Sequence, residues 1–156
     1  MIVAVLDTNV LASGLVRPHS TPGAVLRAWQ DSAFSAVVSE HILGELEATL
    51  QDPYFRARLT DQQIAEDLSL LRSEARVVAP TEEVRGVATH PEDDLILSVA
   101  ISIDADYLVT GDRKLLALGS LAQVNIVTPR DFLDVLGLDD DARSSPPVTS
   151  PPSTTL

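Results

Sequence analysis

Four acidic residues, Asp7, Glu45, Asp93 and Asp112, are placed where side chains from separate segments of one fold could meet. None has a lysine or arginine three or four residues away to pair with. Brought together unpaired, their carboxylates would repel and raise one another's pKa values. A hard cation with oxygen ligands removes that conflict, and Mg²⁺ or Mn²⁺ suits a shell of carboxylates and water. Two of the positions have close rivals, Asp94 for Asp93 and Glu47 for Glu45, and helical periodicity does not separate either pair. Each acid alone also has a structural reading as a cap, a first-turn charge or part of a solvated helix face. Their joint occurrence at one rim favours a metal centre. Other chemistries lack their residues. The chain has no cysteine, no Gly-x-Ser-x-Gly elbow and no Gly-x-x-x-x-Gly-Lys loop. His19, His41 and His90 show no metal-ligand spacing and read as surface or capping residues.

The elements that would position these acids form a simple alternation. Short β-branched runs at 2–6, 35–38, 76–79, 107–110 and 124–127 read as strands. Helical patterns lie between or after them at 22–31, 39–51, 60–74, 91–102 and 129–136. Thr60 with Gln63 forms a capping box, Pro91 suits a first turn, and Ser39 can cap the helix that follows it. The pattern predicts an α/β fold, a three-layer α/β/α sandwich with a central parallel sheet of four to five strands. Asp7 and Asp112 then lie just past the carboxyl ends of the first and fourth strands, the edge where open parallel sheets bind ligands. Asp93 falls in the first turn of a helix starting at that rim. Glu45 stands about 9 Å along its helix, within reach because helical side chains lean toward the N-terminus.

The 156 residues suffice for one domain with a real core, and 45% of them are hydrophobic. The absence of cysteine fits a reducing cytoplasm. Residues 1–6 read as a strand rather than a signal peptide, and no window approaches a membrane span. From 139 to 156 the composition is rich in Pro, Ser and Thr, the pattern of a disordered tail, leaving 1–138 as the folded domain. The net charge is −12, so phosphate affinity would have to come from a few placed cations and a bound metal.

Three stretches stand out together: VLDTNVL from Val5, SEHILGEL from Ser39, and HPEDDLILSVAISIDADYLVTGDRKLL from His90 to Leu116. In this order they resemble the PIN-domain family, in particular the toxin components of toxin–antitoxin systems related to VapC-type ribonucleases. The resemblance runs from residue 1 to about 136. It selects Asp93 over Asp94, because the family's acid lies seven positions before the small residue matched by Ala100, and it selects Glu45 over Glu47. It implies hydrolysis of an RNA phosphodiester by water activated on Mg²⁺ or Mn²⁺. Asp7 and Asp93 would be the principal ligands, with Glu45 and Asp112 completing the set directly or through water. Thr8, Asn9 and Thr110 would support the ligands or touch phosphate, and Arg17, Arg113 and Lys114, expected near the same rim, would contact the RNA backbone. A cognate antitoxin protein and a homodimer are the implied partners, the latter through a stripe at Ile64, Leu68 and Leu71 that also suits the core. The alternative is a catalytically weak PIN module serving as an RNA- or protein-binding partner.

Overall fold

Val3–Leu6 (β1) carries only apolar residues, and Ala4, Val5 and Leu6 are all fully buried, so both faces of the strand are covered. That is the condition of a central strand between two helical layers. The computed structural model describes residues 1–88 and 90–138, so the segment read as a tail, 139–156, lies outside the described residues. After β1 come helices α1 (Thr8–Val16) and α2 (Thr21–Gln30), strand β2 (Ser35–Ser39), and helices α3 (Glu40–Leu50), α4 (Pro53–Arg56) and α5 (Asp61–Glu74). Strand β3 (Arg76–Val78), helix α6 (Pro91–Ser102), strand β4 (Tyr107–Val109) and helix α7 (Arg113–Leu116) follow. Strands β5 (Ser120–Leu121) and β6 (Val124–Val127) and helix α8 (Pro129–Val135) complete the described chain.

The strands form one sheet in the order β3-β2-β1-β4-β6-β5. All neighbours are parallel except β5, a two-residue edge strand antiparallel to β6. The expected α/β sandwich is therefore observed, with six strands among the described residues. The chain moves outward from β1 through β2 to β3, then returns to place β4 on the other side of β1. Right-handed crossovers put the helices of these two excursions on opposite faces of the sheet. The reversal between β1 and β4 is a topological switch point, and its carboxyl-end crevice is where such sheets take ligands.

The five longer strands and the five expected helices agree with the sequence reading to within one or two residues. Thr60 and Gln63 make their reciprocal capping box, Ser39 accepts from the Ile42 amide, and Pro91 occupies the first turn of α6. Not anticipated were α1, the single-turn helices α4 and α7, and β5. Helix α1 packs tightly on α2 because Gly14 has no side chain. A Cβ there would come within 2.6 Å of Leu26 Cδ1 and 2.9 Å of the Pro22 carbonyl. Helix α8 is fixed by Phe132, whose ring meets Phe34 edge-on at 4.8 Å and Tyr107 at 5.6 Å. No helix among the described residues is long and apolar enough to cross a membrane.

Candidate functional site

Asp7 leaves the end of β1 at the switch point, where its amide donates to the Val109 carbonyl of β4. It is also the N-cap of α1, accepting through Oδ1 from the Thr8 amide at 2.8 Å. Its other oxygen accepts from the Thr110 hydroxyl at 2.7 Å and from Asn9 Nδ2 at 3.3 Å. Asn9 in turn accepts from the Gly111 amide at 3.2 Å, and Thr110 Oγ1 accepts from the Asp112 amide at 3.0 Å. Thr8, Asn9 and Thr110 thus knit the start of α1 and the segment after β4 together around one carboxylate. Glu45 reaches this cluster from α3. Its Oε2 accepts from the Thr8 hydroxyl at 2.8 Å, and its Oε1 lies 2.9 Å from His41 Nε2 one turn earlier.

These groups open onto a cavity of about 260 Å³ walled by Asp7, Asn9, Glu45, Asp93 and Asp112, with His41 and Glu92 also lining it. Asp112 caps α7, accepting from the Lys114 amide at 2.8 Å. Burial raises the Asp7 carboxyl above the usual carboxylate range; hydrogen bonds from Thr110 and Thr8 oppose the rise, while Glu45 and Asp93 add to it. Asp93 is also raised, by burial and then by Asp112, against the pull of His90 and Lys114.

The rival acids face elsewhere. Asp94 is buried and accepts from the Gly86 amide at 2.9 Å and the Ala88 amide at 2.8 Å, so both oxygens are used in latching the segment before α6. Glu47 is exposed and borders a separate groove between α3 and α5. Arg113 and Lys114 start α7 beside Asp112, and Lys114 Nζ lies 3.2 Å from His90 Nε2. Arg17 is not at the rim as expected. It is the C-cap of α1, one helix length away, because residues 8–16 form a helix running from the rim rather than a rim loop. His41, read as an ordinary surface histidine, lines the cavity beside Glu45. The signal was in the sequence, since positions 41 and 45 are one turn apart on the same helix. In the stripe suggested for dimerisation, Ile64 and Leu71 are buried in the core and only Leu68 is part-exposed.

Among the described residues no three His, Asp or Glu side chains stand close enough to grip an ion together; the acids ring the cavity instead. The donor chemistry still fits a hard divalent cation. The donors are carboxylate oxygens, and two of them, Asp7 and Asp93, are raised above the usual carboxylate range first by burial and then by neighbouring acids.

The fold agrees with what is found in known proteins. Residues 3–114 match the PIN domain, and the chain belongs to the PIN domain family. An uncharacterized protein of Methanocaldococcus jannaschii is 26% identical over 142 residues, covering 85% of this chain and 90% of its own. Among solved structures, a chain of VapBC2 from Rickettsia felis, crystallised with a DNA fragment from its promoter, aligns with a TM-score of 0.56. That alignment covers 81% of this chain and 98% of the other at 17% identity, a likeness of fold.

Proposed function

We propose that the protein is a metal-dependent endoribonuclease, the toxin of a toxin–antitoxin pair. The observation that carries this reading is the ring of Asp7, Glu45, Asp93 and Asp112 around one cavity at the switch point of a PIN domain. The fold shared with VapBC2 supports the toxin assignment. Asp7 and Asp93 are the residues to hold Mg²⁺ or Mn²⁺, with Glu45 and Asp112 completing the set. When bound, the cation lowers the pKa of water and stabilises charge on the phosphoryl oxygens. The remaining work falls to the chain. Thr110 and the Thr8 amide fix the Asp7 carboxylate, and the Thr8 hydroxyl orients Glu45. His41 stands 2.9 Å from the other oxygen of Glu45 and holds that side of the carboxylate. Arg113 and Lys114 are the cations nearest the acids to hold the RNA backbone. An antitoxin would close the cavity with a basic side chain directed at the carboxylates.

The test is cleavage of structured RNA by the full chain and by Asp7→Asn with Mg²⁺, Mn²⁺ or chelator. The expected outcome is loss of activity in chelator and a fall of at least about 100-fold in the variant, beyond what removal of an outer partner gives. Equal cleavage by parent and variant would remove the nuclease reading from this site. A parent that binds RNA without cleaving it under any metal would favour the binding-module alternative.

A further inference from the structure

Away from the acids, Tyr54 on α4 is held by two arginines. Arg17 Nη2 donates to its hydroxyl at 2.7 Å, and Arg58 lies over its ring with the guanidinium carbon 3.7 Å from the centroid. Arg58 is tied back by a 2.7 Å bond from Nη1 to the Tyr54 carbonyl, and Phe55 packs edge-on against the ring at 5.1 Å. Tyr54 nevertheless remains 39% exposed. Three other arginines, Arg56, Arg72 and Arg85, are paired with carboxylates. Arg17 and Arg58 are held by neutral oxygens, so their charge is not cancelled by an ion pair among the described residues. Beside them lies a cavity of about 310 Å³ walled by Ser13, Val16, Arg17, Ser20, Tyr54 and Phe55, near the lower size limit of small-ligand sites.

This cluster connects to the carboxylate cavity along α1. Helix α1 is largely buried, with Val10, Leu11, Ala12 and Gly14 facing inward. Asn9, Ser13 and Arg17 recur at four-residue spacing along its more open side. Asn9 lines the acidic cavity; Ser13 and Arg17 line the second. Eight residues of helix separate Asn9 from Arg17 by about 12 Å, roughly three to four stacked nucleotides at 3.4 Å each. On α3, Thr49 lines the acidic cavity, and Tyr54 follows five residues later on α4.

We propose that Tyr54, Arg58 and Arg17 form a base-stacking and phosphate-binding subsite for the single-stranded RNA that enters the carboxylate cavity. The inference rests on the nuclease reading for the identity of its ligand, but not on catalysis. An exposed tyrosine with a guanidinium on its ring stacks bases without regard to sequence, and an unpaired guanidinium beside it takes a phosphate. The walls also include Val16, Pro22 and Phe55, so binding of an acidic peptide at Tyr54 in place of oligouridine would overturn this choice of ligand.

The test is equilibrium fluorescence anisotropy of labelled oligouridines of increasing length, with chelator present so that binding alone is read. In Tyr54→Ala, affinity for the longer oligouridines falls about 5- to 100-fold, while the shortest, which cannot span the track, bind as they do to the parent. Tyr54→Trp retains parental affinity, and Arg17→Gln lessens the salt dependence. Thermal melts of each variant separate loss of binding from loss of fold. Equal affinity of parent and Tyr54→Ala at every length overturns the proposal, as does binding of oligodeoxyuridines but not oligouridines, or no binding by the parent. RNA binding that depends on Tyr54 in a protein that never cleaves RNA would keep the subsite and remove the nuclease reading.

Discussion

Asp7 caps α1 and faces the cavity with the same carboxylate, so the charge a cation needs is held where burial disfavours it. Because its pKa is raised in the folded state, the folded chain binds this proton more readily than the unfolded chain does. The stabilising effect of the neutral form is present below the unfolded value of 3.8 and is lost as pH rises through the folded value. At neutral pH without metal, the ionised group is therefore a destabilising presence. Asp7→Asn keeps a cap and removes the charge, so its melting temperature at pH 7 in chelator should exceed the parent's by a few degrees, the scale of a roughly 1 kcal/mol change. The difference should shrink as pH falls toward 4; a variant that melts lower at pH 7 would contradict it. At this scale the sequence located Asp7 and Asp112 by their strand ends, whereas choosing Asp93 over Asp94 and Glu45 over Glu47 needed the family resemblance. In the fold, the difference between Asp93 and Asp94 is set by which backbone amides each carboxylate meets, and no periodicity encodes that.

The helix that carries Asp93 is steadied by its neighbour. Asp94 ties α6 to the preceding segment through the Gly86 and Ala88 amides, and Ser98 accepts from the Val84 amide farther along the same segment. Asp94→Ala removes both acceptors and should lower stability by about 1–3 kcal/mol. Hydrogen exchange should quicken at Gly86 and Ala88 before it does in the sheet; unchanged protection there would mean the latch is dispensable. Elements with strong local signals, such as α5 with its capping box, were legible in the sequence. Helix α1 was not. Asn9, Val10, Ser13, Gly14 and Val16 are poor helix formers, and Val10, Leu11 and Ala12 are buried in succession without an amphipathic stripe. It is helical because tertiary burial and the Asp7 cap outweigh propensity, and missing it put Arg17 at the wrong end of α1.

At the scale of the molecule, the proposed nuclease would bind a polyanion from an acidic body. The chain carries −12, and the segment 139–156 accounts for only −2 of that, from three Asp and one Arg. With Arg17, Arg58, Arg113 and Lys114 as the phosphate contacts, the logarithm of RNA affinity should fall against the logarithm of salt with a slope no steeper than about −3, at about 0.7 per contact. Binding titrations across a salt series measure it, and a markedly steeper slope would require cations outside this set. Composition gave the sign of the charge but not its layout, because the two arginines on Tyr54 are brought together by α1 and α4, neither of which has a clear sequence signature. The sheet carries a further consequence. Its two edges are β3, three residues long, and β5, two residues long, so neither offers another chain more than a few free backbone groups. Among the described residues, edges this short disfavour the addition of further copies strand to strand into open-ended fibres.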